Sequence, residues 1–240
     1  IHTDGITLTG DTIYYDKAQG YGKCIGNIES VDSTHSMTLY GHKAEMWESN
    51  NRAYVTDSAM LLDRSDSTTY TYMHADSLWT EEIPYQIYTL AERDSILIDS
   101  ILTAQQPDTI WSDTTYQQLR AYRNVRIYRS DLQAVCDSAR YHGRDSIITL
   151  FGMPICWNEE NQISADQIDI YIKNEDIDYL YGQGNAIAIM QDGTNEFNQM
   201  AGKEMYAYVR DGDVYLVDVC GNAETVFYPQ EDDGTYMGVN

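Results

Sequence analysis

Few side chains in this sequence are placed to do chemistry. The five histidines, at positions 2, 35, 42, 74 and 142, are scattered and unpaired along the chain, so turn or surface roles explain them. Cys24, Cys136, Cys156 and Cys220 show no CxxC spacing and no histidine at metal-ligand distance. They read as small buried residues, with a disulfide of an oxidising compartment as the alternative. No Gly-x-Ser-x-Gly elbow, HExxH helix, Walker loop or GxGxxG following a strand is present. Asp192-Gly193-Thr194-Asn195 and Asp211-Gly212-Asp213 lack the spaced ligands and closing Glu of a calcium loop, and are explained as turns. The 38 acidic residues could supply the carboxylate pair of a glycoside hydrolase, but no two are singled out. The expectation is no catalytic residue, no metal, no cofactor and no enzymatic activity.

One group does stand out. Six of the 15 basic residues are Arg120, Arg123, Arg126, Arg129, Arg140 and Arg144. Guanidinium binds phosphate bidentately, so Arg123, Arg126 and Arg129 are candidates for contact with a phosphate or an acidic partner. Solvated pairing with neighbouring Asp and Glu is the plainer alternative. The net charge of −23 argues against nucleic acid and against an anionic membrane surface as electrostatic partners. No apolar run reaches the roughly eighteen residues of a spanning helix. The chain begins at Ile1 without a leader, as expected of a mature chain whose targeting segment is gone.

The elements that must position these side chains are strands. Tyr is abundant (21) and Pro scarce (4), with Thr, Ile and Val in short alternating runs. Two phrases recur. Asn-type starts stand at Asn27, Asn124, Asn185 and Asn222, with degenerate versions at Ser58 and Pro154, and neighbouring starts lie 30 to 37 residues apart except for one gap of 66. Turn-over phrases stand at Gly10-Asp11, Gly41-His42-Lys43, Ala75-Asp76, Cys136-Asp137, Ala165-Asp166 and Ala201-Gly202-Lys203. A period in this range with strands inside each unit predicts stacked β-hairpins in one elongated domain over residues 1–240. Residues 80–120 break the pattern and are expected to be an irregular insertion, and 229–240 a frayed tail. Alternation assigns Ile28, Leu39, Met46, Val125, Ile127, Ile168, Ile170, Ile172, Val214 and Leu216 to one dry face. That face is either an ordinary core or the lining of a lipid site.

With these phrases laid out, the chain resembles the organic-solvent-tolerance-like (OstA-like, LptA-like) family, the β-jellyroll proteins of lipopolysaccharide transport. The resemblance rests on Gly26-Asn27-Ile28, Ala75-Asp76-Ser77-Leu78, Asn124-Val125, Ala165-Asp166-Gln167-Ile168-Asp169-Ile170 and Gly184-Asn185-Ala186, over about residues 8–79 and 121–228. It implies an all-β, twisted, V-shaped and open-ended jellyroll. It also implies a periplasmic module of Gram-negative outer-membrane biogenesis that shields the acyl chains of lipopolysaccharide or a related glycolipid and passes the lipid onward. Implied partners are other β-jellyroll transport proteins, or further copies of the same chain, stacked edge to edge.

Two alternatives come from other classes: an assembly module docking proteins through its sheet edges with no lipid inside, and a β-helical carbohydrate-active enzyme. An accessible apolar cleft favours the first reading, a closed core with exposed edges the second, and a carboxylate pair in a groove the third.

Overall fold

The computed structural model describes residues 2–3, 6–34, 36–64, 69–90, 109–174, 176–193, 195–230 and 236–237. They form a continuous antiparallel meander: β1 (His2–Thr3), β2 (Ile6–Thr9), β3 (Thr12–Asp16), β4 (Tyr21–Asp32), β5 (Met37–Trp47), β6 (Arg52–Asp63), β7 (Thr71–Leu90), β8 (Thr109–Tyr128) and β9 (Gln133–His142). It continues through β10 (Ile147–Phe151), β11 (Ile155–Asn158), β12 (Asn161–Ser164), β13 (Gln167–Lys173), β14 (Asp176–Gln191), β15 (Phe197–Arg210), β16 (Asp213–Cys220) and β17 (Glu224–Val226). One turn of 3-10 helix, Glu48–Asn50, is the only helical element among the described residues. The protein is an all-β, jellyroll-like stack of hairpins.

The recurring phrases are corners. Two successive residues both take positive φ at the Asp211-Gly212 hairpin tip and at six corners: Gly26-Asn27, Asp57-Ser58, Arg123-Asn124, Gly152-Met153, Gly184-Asn185 and Gly221-Asn222. Left-handed backbone is sterically costly for most side chains, and Gly and Asn tolerate it best. The corners fold one continuous sheet into two faces, sheet I before each corner and sheet II after it or the reverse. The pairing register shifts at four of them, and at Gly152-Met153 and Gly221-Asn222 the strand is interrupted. The Asp of the turn-over phrase secures the corner on the neighbouring strand. Asn27, Asn124 and Asn185 donate Nδ2 hydrogens to the carboxylates of Asp11, Asp76 and Asp166, at 3.0–3.2 Å. The backbone N–H of Asp11 and of Asp166 donates to the carbonyls of Gly26 and Gly184 at 2.9 Å. The two phrases are therefore halves of one device. Pro154 lies one residue past its corner, and Met153 holds the position taken elsewhere by Asn.

Between corners the inner faces are read directly from the pairing. In sheet I one cross-strand row runs Ile13, Cys24, Ala44, Val55, Leu78, Ala121, Ala139, Leu150, Ile168, Gly182, Met205, Val219, without a polar side chain. The corresponding row of sheet II includes Leu39, Leu61, Met73, Ile127, Ala134, Cys156, Ile163, Ala188 and Met200. Buried members of both rows join one hydrophobic core. Small residues hold the corners, where the sheets converge: Ala59, Ala75 and Ala186 are wholly buried. Many tyrosines face outward in cross-strand ladders, with Tyr171 stacked on Tyr179 (centroids 4.2 Å apart) and Tyr181 on Tyr206 (4.4 Å).

Two expectations need correction. Residues 80–90 and 109–120, expected as irregular, are strand: β7 and β8 are 20 residues each and stay paired as far as Leu90↔Thr109. Mixed Ser, Thr, Gln and aliphatic residues hide the period because this ribbon runs beyond the two sheets and has no single buried face to demand alternation. Residues 91–108, the rest of that expected insertion, lie outside the described residues. The tail is also held where it is described: Tyr228 N–H donates to Asn198 Oδ1 (2.9 Å), Tyr236 OH to the Asp192 carbonyl (2.9 Å), and Gln230 bridges Tyr236.

Candidate functional site

The interior between the sheets is where the predicted apolar residues gather. Ile28, Val125, Ile127, Ile168 and Ile170 are buried. Leu39, Val214, Met46 and Ile172 are half-buried, the first two packed on the core. Met46 sits near the N-terminal end, where it lines a small cavity of about 20 Å³ with Ile6, Leu8, Ile13 and Tyr15. Leu216 is misplaced by the sequence reading. A bulge at β15–β16 sets Val214 opposite Val209 but Leu216 opposite Tyr208, so Leu216 turns outward and is 46% exposed. One extra residue reverses a period of two, and Val217 and Val219 take the inner positions instead.

The middle of this interior is shut. Leu150 and Ile168 are fully buried and face across β10–β13 in direct register. Towards the C-terminal end the inner positions shrink to Ala188 and Ala207, and there the sheets leave a cavity of about 40 Å³. Its apolar wall is Leu132, Cys156, Ile163, Ile177, Leu180, Ala188, Met190, Ala207, Val209, Val214 and Val217. Its mouth is polar, with Asp131, Trp157, Asn158, Asn161, Gln162 and Gly212. Two links join sheet II to the turns of sheet I here, the first among residues that line the cavity and the second beside them. Asn158 Nδ2 donates to the carbonyl of Gly212 (2.8 Å) and to that of Asp131 (2.6 Å). Arg129 approaches Asp176 at 3.7 Å while holding Asp131 at 2.8 Å. Such a site can take apolar matter within and polar groups at the rim.

The three candidate arginines do not form one phosphate site. Arg123 is at a corner, paired with Asp76 at 3.3 Å and largely exposed. Arg126 points to the outer side of sheet II, opposite His74 and Val135. Arg129 is mostly buried beside Asp131, which lines the cavity. The remaining members of the group also have close neighbours: Arg120 pairs with Glu81 at 2.9 Å, and Arg140 and Arg144 lie over the rings of Phe151 and Tyr85. All four cysteines are free thiols. Burial pushes the Cys136 thiol up to about 12 and raises that of Cys156 further, so neither is a ready nucleophile.

Sequence reasoning missed the cavity wall and both links. The only written signal was Ala in the alternating run Ala186-Ile187-Ala188, where other strands carry larger inward residues. It also missed a contact at the base of the β7–β8 ribbon, where His142 meets Tyr116 OH and Asp145, each at 3.0 Å. This trio fastens the ribbon to the turn after β9.

No protein-family model matches the chain, and no curated protein matches it. Among solved structures it is similar to LptH of Pseudomonas aeruginosa, the LptA-homologous periplasmic component of the conserved lipopolysaccharide transport device. That similarity has 10% sequence identity and a TM-score of 0.27, and covers 81% of this chain and 92% of the other.

Proposed function

We propose that the protein is a non-enzymatic periplasmic module of lipopolysaccharide export, which receives acyl chains of lipopolysaccharide or a related glycolipid between its sheets and passes the lipid toward the outer membrane. The observation that carries this reading is the C-terminal cavity, apolar on its walls and polar at its mouth. Each methylene moved from water into such a space contributes roughly 0.8 kcal/mol, while sugars and phosphates keep their hydration outside. Native mass spectrometry after incubation with purified lipopolysaccharide tests it, with an Ala188→Leu/Ala207→Leu variant that fills the cavity. A stoichiometric adduct on the wild type and none on the folded variant is expected. Absence of any adduct on folded wild type sinks the proposal, and an adduct on both removes the cavity from it.

A second reading, edge-to-edge assembly, has its own observation. Strands bearing a start corner alternate with strands bearing a turn-over phrase throughout the stack, from Gly10-Asp11 at one end to Gly221-Asn222 at the other. A second copy placed head to tail continues that alternation in the register of β14 and β15. Gln183↔Glu204 would be repeated as Cys220 beside Thr12, and Ala186↔Gly202 as Ala223 beside Gly10. The inner row then runs on from Val219 to Ile13. β1 already occupies the outer edge of β2, so the addition is made between the edges of β3 and β16. A Thr12→Cys variant, mildly oxidised, is expected to give a ladder of covalent oligomers that Cys220→Ser abolishes. If only a Cys220-linked dimer forms, head-to-tail stacking is wrong.

A further inference from the structure

The C-terminal cavity is too small, as it stands, for the ligand proposed above. A void needs about 10–15 Å³ by this measure to hold one water, so about 40 Å³ accommodates roughly three water-sized groups and not a chain of ten or more carbons. On the lipid reading the structure is thus a closed form, and whatever holds the cavity shut sets the cost of opening it.

We propose that Asn158 and Arg129 form a latch that holds sheet II against the Asp211-Gly212 and Asp176 turns of sheet I, and that an acyl chain enters by releasing it. The inference rests on the lipid reading and adds its gate. Both latch residues are built alike. Each contacts Asp131 in the β8–β9 turn, which helps aim the side chain. Each then makes one contact across the gap, Asn158 to the Gly212 carbonyl and Arg129 to Asp176. The turns they reach are hairpin tips: Asp211 and Gly212 both have positive φ between β15 and β16, and Asp176 opens β14. Hairpin tips are the ends of their strands farthest from the corners, so a small hinge at the corners displaces them most. The cross-gap contacts are also the weaker kind. One is a neutral hydrogen bond, and the other is a 3.7 Å ion pair whose Asp176 partner is 85% exposed. A latch of this strength can be released by a ligand gaining several buried methylenes. By contrast, the corners are locked by the Asp–Asn pairs and cannot serve as the gate.

The test is stopped-flow capture of 11-dansylaminoundecanoic acid by wild type and by Asn158→Ala/Asp176→Asn, with hydrogen exchange of the amides of residues 211–214 measured on both. Arg126→Gln, on the outer side of sheet II, is the control and is expected to behave as wild type. Loss of the latch is expected to speed capture about tenfold, the equivalent of about 1.4 kcal/mol in the opening step, and to speed exchange in the tip. Equal capture rates in wild type and double variant overturn the latch and leave the lipid reading standing. If neither protein captures the probe, the lipid reading falls, and the latch is judged on exchange alone: faster exchange in the double variant supports it, unchanged exchange overturns it.

Discussion

The middle of the molecule and its C-terminal end use the same architecture and differ in side-chain volume. Across β9, β10 and β13, the inner positions Ala139, Leu150 and Ile168 interlock until nothing is exposed. On the next two strands, β14 and β15, Ala188 and Ala207 line the cavity with Val209, Val214 and Val217, and space remains. The corners are equivalent in both regions, so the backbone is not what opens the end. An apolar inner face is compatible with a solid core or a receptive one, and the volume of a few side chains decides between them.

The sharpest way to break this contrast is truncation at both places. Leu150→Ala should cost about 2–5 kcal/mol, because the tightly packed middle cannot collapse around the void. Val209→Ala, at the wall of the existing cavity, should cost about 1 kcal/mol, with the comparison made by urea denaturation. Equal losses would mean that the two regions are packed alike. The corners, equivalent by geometry, should respond alike to a Cβ. Gly184 has φ +74 and a Cβ there would press on the Asp166 carboxylate. Gly184→Ala should therefore lose roughly 1–3 kcal/mol, and a variant as stable as wild type would show that the corner bears no strain.

The smallest effect is chemical. Cys136 lies inside and its thiol is raised from 9.0 to about 12 by burial, whereas Cys220 is exposed on the edge. A raised acid ionises in the unfolded chain first. The stabilisation attached to Cys136 is thus complete below about pH 9 and is lost progressively as pH rises towards 12. At pH 8 a thiol-specific disulfide reagent should react quickly with Cys220 and with Cys136 and Cys156 only after unfolding, read by peptide mapping. Rapid labelling of Cys156 in the folded protein would show that the interior near the cavity is already open.

Much of the fold is legible because its determinants are local. Gly-Asn is written at corners since few residues accept two successive left-handed conformations, and Asp recurs in the turn-over phrase because it holds the Asn amide opposite. Even so, Asp57-Ser58 and Gly152-Met153 make the same corner with different residues, which is why Pro154 was taken for a start. Strict alternation put Ile168 and Ile170 inside correctly and failed at Leu216, where a bulge reversed the face. The β7–β8 ribbon was illegible for a related reason: none of its residues 81–87 and 112–117 is buried, so neither face demands a period.

By itself, then, the sequence determined an all-β chain of repeated hairpins, with its corners, its inward faces and an acidity that disfavours polyanionic partners. These follow from backbone sterics, side-chain alternation and charge, each a property of a few neighbouring residues. Only the tertiary structure decided that the interior is shut in the middle and hollow at one end, that the arginines are dispersed, and that Asn158 reaches Gly212 across the mouth. Those depend on the summed volumes and relative positions of residues far apart in the chain, Asn158 and Gly212 being 54 residues distant, and close packing is a property of the assembled sheets that no short stretch of sequence contains.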